Sequence, residues 1–164
     1  MRRTLISGSS PYEGVAGFSR AVVAGDRVHV AGTAPIPTDG SPPPGGAYEQ
    51  ARLCLEIIGA ALERAGSSLE HVVRTNIYVT DRAHWEGVAR AHGEAFRDVR
   101  PAATCVVTTL LDPAWKVEIE AARAALVERG VAVSDVQDFP WGRFVFFSDP
   151  DGNAWSVQQI PDRT

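Results

Sequence analysis

Only two of the 164 residues are cysteines, Cys54 and Cys105, and they stand in segments that read as a helix and a strand. They lack the paired spacing of a zinc site, and a cytosolic chain keeps such thiols reduced, so a cytoplasmic protein is the expectation. No apolar run approaches the ~20 residues that a membrane-spanning helix needs. The opening MRRTLISGSS is too poor in apolar residues for a signal-peptide core. Positive charge is scarce as well: 16 Lys and Arg against 20 Asp and Glu give a net charge of -4. A phosphate backbone is recognised by clustered Lys and Arg, so neither nucleic acid nor a membrane is an expected partner, and small molecules are. The four histidines are scattered. His84 and His92 share a predicted helix face but lie two turns apart, roughly 12 Å at 1.5 Å per residue, too far to grip one ion.

What is present is ordinary globular material, 45% hydrophobic and 22% charged, enough for one domain with a small appendage. The stretch TLIS reads as a first strand. RAVVAGDRVHVAGTAP alternates apolar residues around Gly25-Asp26 and reads as a β-hairpin. The Pro- and Gly-rich residues 38–46 form a surface loop. From Tyr48 to Ala65, apolar positions Ala51, Leu55, Ile58 and Leu62 recur at helical steps, and Gly66 stands where a helix stop belongs. VVRTNIYVT (72–80) reads as a strand, followed by a helix from Arg82 to Phe96 with Trp85, Val88, His92 and Phe96 on one side. Strands TCVVTTL and KVEIEA come next, separated by a turn at Asp112-Pro113. The order ββ(β)αβαββ predicts an α+β protein, with two helices on one face of a mixed sheet. Beyond Ala121 the chain predicts a short helix (ARAALVERG) and three strands (VAVSDVQ, RFVFFSD, AWSVQQI), with the turn sequence DPDGN before the last. Counting KVEIEA as its first strand, this tail spells βαβββ.

Five motifs stand in order: GFSRAV (17–22), VHVAGTAP (28–35), RTNIYVTD (74–81), RPAATCVV (100–107) and VEIEA (117–121). On these, residues 1–122 resemble the Rid family (YjgF, UK114), reactive-intermediate deaminases with a chorismate-mutase-like fold. The resemblance implies a homotrimer with clefts between subunits, hydrolysis of imines or enamines, and no cofactor. It also implies roles. Glu118 matches the water-activating glutamate, Cys105 the pocket cysteine and Gly32 the pocket glycine, while Phe18 stands where the family carries a tyrosine. The family's carboxylate-binding arginine falls on Ala103, so a simple 2-imino acid is not the expected substrate. Arg100, at the mouth of the same strand, and Arg20, in place of a common glutamine, are candidate replacements. A charge-assisted carboxylate contact is worth on the order of 1.5–3 kcal/mol, which sets the size of the loss.

Each residue also has a plainer reading. Glu118 and Glu120 alternate with Val117 and Ile119 as solvent-facing residues do on a half-buried strand. Cys105 suits a small core residue and Phe18 simple packing. A non-catalytic trimeric binding or assembly protein is accordingly the alternative to an imine or enamine deaminase.

Residues 125–160 resemble the closing part of a vicinal oxygen chelate module, the fold of glyoxalase I and bleomycin-resistance proteins, on RGV and DPDGN. The expected division is a Rid-like domain over 1–122 and a half-module over 117–164 that shares the 117–121 strand. Metal-binding versions of that module carry a glutamate three residues after the asparagine. Here the position is Ser156, so no metal is expected. A lone half-module leaves an apolar face, with Trp141, Phe144, Phe146 and Trp155, that needs a cover.

Overall fold

A computed structural model describes residues 3–8, 10–124, 137–139, 142–148 and 154–159. These fall into two compact units, 1–124 and 125–164. The first begins with strand β1 (Arg3–Ile6), a one-turn helix α1 (Glu13–Ala16), and the strands β2 (Ala21–Ala24) and β3 (Arg27–Thr33). Ala24 faces Arg27 across the two-residue loop Gly25-Asp26. Gly25 has φ 61° at the first loop position, where a tight hairpin turn of type II′ takes glycine. The helix α2 (Ala47–Arg64), the strand β4 (Val72–Val79), the helix α3 (Trp85–Phe96) and the strands β5 (Ala102–Val107) and β6 (Val117–Ala124) complete the unit.

The six strands form one sheet in the order β1-β2-β3-β6-β4-β5. All neighbours are antiparallel except β4 and β5, whose parallel pairing needs a crossover, supplied by α3. Because β3 and β4 both run antiparallel to β6, they are parallel to each other, and α2 makes the connection between them. This is the mixed α+β sheet expected from the sequence.

The core lies between the helices and one sheet face. Val28 and Val30 of β3, Ile77 and Val79 of β4, and Val117 and Ile119 of β6 meet Leu55, Ile58 and Leu62 of α2 and Val88 and Phe96 of α3. Each such side chain contributes about 1.5–3 kcal/mol by leaving water. The period-two pattern in β6 holds from Val117 to Arg123, so Glu118 and Glu120 emerge on the opposite face. His92 shares one hydrogen bond with the buried Thr75 hydroxyl (3.0 Å) and packs at a tilt against Phe96, with ring centres 4.7 Å apart, a structural placement.

Three details depart from expectation. Residues 82–84 form a separate turn of 3-10 helix, capped by the Asp81 carboxylate on the Ala83 N–H, and α3 starts only at Trp85. Trp85 is 47% exposed, because it sits at the first helical position rather than in the stripe that packs. The expected TCVVTTL strand starts two residues earlier and ends at Val107, since Thr108 donates to the last carbonyl of β4 and leads the chain into a loop.

The second unit shows strands β7 (Gln137–Phe139), β8 (Gly142–Ser148) and β9 (Ala154–Gln159) in an antiparallel sheet ordered β7-β8-β9. The RFVFFSD and AWSVQQI expectations fall on β8 and β9. The predicted helix ARAALVERG (122–130) fails over its first three residues, which continue β6 to Ala124 in the ladder with β3 and β4. The rest of it, most of VAVSDVQ, Trp141, the DPDGN turn and the side chain of Trp155 lie outside the described residues. Phe144 and Phe146 stack 6.0 Å apart on β8, with Phe146 exposed. No helix among the described residues is long and apolar enough to cross a membrane.

Candidate functional site

The register between β3 and β6 moves from Val30 opposite Ala121 to Thr33 opposite Ile119. Three steps on β3 are matched by two on β6, so one residue is extra and β3 bulges at Ala31-Gly32. The bulge returns Thr33 to the buried face and turns the Ala31 and Gly32 carbonyls out of the ladder. Such groups cost free energy if left unmet. Arg20 meets them: its Nη1 donates to Gly32 O (2.9 Å), Ala31 O (3.3 Å) and Thr33 Oγ1 (2.8 Å). Arg20 is 8% exposed, and burial pulls its pKa below the ordinary arginine value while Glu13 and Glu118 push it back up.

Beside the bulge lies a cavity of about 530 Å³. Its apolar wall includes Phe18, Ile36, Ile57, Leu111 and Trp115, and its polar lining includes Tyr12, Arg20, Thr33, Asp112 and Glu118. Gly32 and Glu118 are in intimate contact: a Cβ at position 32 would collide with Glu118 Oε1, so only glycine leaves the carboxylate where it stands. Burial raises the Glu118 pKa from its ordinary 4.5, an effect opposed by Arg20 and reinforced by Glu120. No donor among the described residues hydrogen-bonds the Glu118 carboxylate. Glu120 differs: the Asn76 amide and, at 3.2 Å, the Tyr78 hydroxyl both donate to its Oε1. Two acids that alternate identically in sequence therefore have different surroundings.

The rim is held by Gln50, which is 1% exposed. Its Nε2 donates to Pro44 O (2.7 Å) and Ala114 O (2.9 Å), and its Oε1 accepts from Lys116 N (2.7 Å). One buried amide thus ties the 34–46 loop and the 108–116 loop to α2, and with them Ile36, Leu111, Asp112 and Trp115. On the other side, Glu13 of α1 accepts from Gly8 N (2.7 Å), which fixes the segment that carries Tyr12 and Phe18.

Of the sequence candidates, the structure brings Phe18, Arg20, Gly32 and Glu118 to this cavity, with Arg20 5.9 Å from the Phe18 ring centre. Arg100 and Cys105 do not line it. Arg100 is the one non-glycine among the described residues with positive φ (50°). Its N–H donates to Phe96 O (2.9 Å) and its Nε to Arg97 O (3.3 Å), so it closes the C-terminal end of α3 in the conformation glycine usually supplies there. Cys105 is exposed on β5, an edge strand exposed along its whole length, and is not the core residue of the plainer reading. Desolvation raises its pKa. Tyr12, Asp112 and Trp115 escaped the sequence reading. Their signal was an aromatic within each of two turn segments, too short for periodicity to register.

The profile of the family described as Endoribonuclease L-PSP matches residues 9–126. An uncharacterized protein of Streptomyces coelicolor is 38% identical over 124 residues, 74% of this chain and 92% of that one. A RutC family protein of Pyrococcus horikoshii is 31% identical over 122 residues, 74% of this chain and 96% of that one. Among solved structures, a member of the YjgF/YER057c/UK114 family from Mycobacterium tuberculosis superposes with a TM-score of 0.68 at 42% identity, covering 76% of this chain and all of that one.

Replacing Arg20 with Met keeps an unbranched apolar stem and removes every donor. Gly32 O then loses the Arg20 donor and Ala31 O keeps only the Thr33 hydroxyl (2.9 Å), and a loss of about 1–3 kcal/mol in unfolding free energy is expected by denaturant titration. A change within experimental error would mean that the bulge does not depend on Arg20.

Proposed function

We propose, for a chain that belongs to the Endoribonuclease L-PSP family of YjgF, UK114 and Rid proteins, that its cavity hydrolyses a reactive imine or enamine-type intermediate, with Glu118 handling water. The observation that carries this reading is the Glu118 carboxyl group, set against Gly32 in a largely apolar cavity and held above the ordinary carboxylate pKa by burial. A carboxylate whose pKa is raised toward the operating pH is a stronger base toward an attacking water, and its conjugate acid can still hand the proton to a leaving nitrogen. Water adds to the imine carbon as Glu118 accepts its proton. The C=N electron pair moves to nitrogen and Glu118 returns the proton there. Glu118 then carries the hydroxyl proton of the carbinolamine to the same nitrogen as the C–N bond breaks, leaving a carbonyl compound and ammonia.

Ala103, on β5, stands where the resemblance expects the carboxylate-binding arginine, and this supports a substrate other than a simple 2-imino acid. It equally favours a second reading, a trimeric small-molecule-binding protein without chemistry. The homotrimer with clefts between subunits fits the exposure of β5: Cys105 and the β5 strand, away from the cavity of their own chain, are free to complete a neighbour's. The tail after residue 124 is read as a vicinal oxygen chelate half-module serving as an assembly surface. Light scattering of the full chain beside one ending at Arg123 tests both: the full chain should weigh as three copies, and unchanged assembly and solubility on truncation would remove the tail from assembly.

Glu118→Gln should lower ammonia release from an imine generated in situ by roughly 10²- to 10⁴-fold, the usual contribution of a general base. Retained turnover would overturn the role. In the wild type, the acid limb of the rate profile should inflect above 4.5, because turnover needs the ionised form. The same shift makes ionised Glu118 a stability cost that grows as pH rises from its unfolded to its folded pKa. The variant should therefore melt no lower than wild type at pH 8, which separates lost chemistry from lost fold.

A further inference from the structure

The charge inventory around the cavity points away from anionic ligands. Its one guanidinium, Arg20, has Nη1 committed to the bulge carbonyls and sits within the fields of Glu13 and Glu118. Asp112 joins Glu118 on the lining; its Oδ1 accepts from Ala114 N (2.8 Å), which fixes the side chain at the rim. Within one chain, the lining thus holds one guanidinium and two carboxylates, with Glu13 close by, and an incoming carboxylate meets net negative charge. The remaining surface is apolar and aromatic. Trp115 is 8% exposed, while Phe18 and Tyr12 lie open at 36% and 57%, and Leu111, also on the lining, is 94% exposed. Aromatic faces and carboxylates together are the chemistry that recognises an organic cation.

We propose that this cavity selects hydrophobic cations that carry no carboxylate, and that its substrates are iminium ions of the kind formed when aryl- or alkylamines are oxidised. The chemical part rests on the hydrolase reading above; the ligand class does not. An iminium carbon is already electrophilic. Water forms the C–O bond as Glu118 takes its proton, and the C=N pair neutralises the nitrogen. Proton return to nitrogen, C–N cleavage and loss of the hydroxyl proton to the departing ammonia through Glu118 give a carbonyl compound and ammonium, with the carboxylate restored. The ion-pair partner for the bound cation is Glu118 or Asp112, and the apolar substituent lies against Trp115 and Leu111.

Two arms separate the ligand class from the chemistry. In the binding arm, phenethylammonium and 3-phenylpropionate, matched in their aromatic ring and opposite in charge, are titrated by thermal shift. Phenethylammonium should bind at least tenfold more tightly. In the turnover arm, a flavin amine oxidase generates the iminium of phenethylamine and an amino-acid oxidase generates 2-imino-3-phenylpropanoate. The substrate without a carboxylate should have at least tenfold the higher kcat/KM. Equal or tighter binding of 3-phenylpropionate, binding of neither, or preference for the imino acid would overturn the ligand class. Preference for phenethylammonium with no acceleration of either hydrolysis would sustain the ligand class and overturn the hydrolase reading. Asp112→Asn should weaken phenethylammonium about two- to fivefold, the scale of one partly exposed ion pair, without weakening 3-phenylpropionate. An unchanged ratio would remove Asp112 from recognition.

Discussion

The contact between the Arg20 guanidinium and the bulged backbone at Ala31-Gly32 governs the rest of the site. A bulge in the middle of a sheet breaks the ladder and leaves carbonyls to be met. Once they are met, β3 can shift phase between Val30 and Thr33, keeping both on the core side while its backbone leans toward β6. That lean brings Gly32 against the Glu118 carboxylate and confines an acid to a cavity where burial works against its charge. Arg20, a candidate substrate anchor in the sequence, thereby commits its Nη1 to the backbone while remaining on the cavity lining.

The fold was largely legible because its elements carry strong local signals. Helix α2 follows its apolar spacing and stops at Gly66, and the Gly25-Asp26 hairpin follows its turn chemistry. Five ordered motifs fixed the first unit. The site was legible only in part. Phe18, Gly32 and Glu118 emerged by their match to those motifs, whereas the difference between Glu118 and Glu120 depends on which acid the β4 side chains reach: Tyr78, opposite Glu118, extends diagonally to Glu120. Asn76 and Tyr78 supply donors to Glu120, and no pattern within β6 could reveal it. The bulge was also hidden. The apolar alternation of VHVAGT runs on through small residues, and one extra residue leaves no mark. Gln50 reads as a polar residue on a helix, yet it ties two loops to α2.

The family fold supplies a sheet with two dissimilar faces. One is covered by α2 and α3; the other presents Glu118, Glu120 and the ends of β3. The cavity opens where the sheet meets α1 and the loops anchored by Gln50, so its floor is rigid ladder and its rim is loop. Leu111 and Asp112 stand on a loop of that rim, apart from the strands that carry the Arg20–bulge–Glu118 arrangement.

The most direct test of this account is the titration of the Glu118 side-chain carboxyl carbon by nuclear magnetic resonance, assigned through the Glu118→Gln spectrum. The account predicts a midpoint above 4.5, with the carboxyl group neutral further into the acid range than an exposed glutamate would be. A midpoint at or below that value would show a solvated or ion-paired carboxylate, and would contradict the claim that the bulge and the cavity prepare Glu118 as a base.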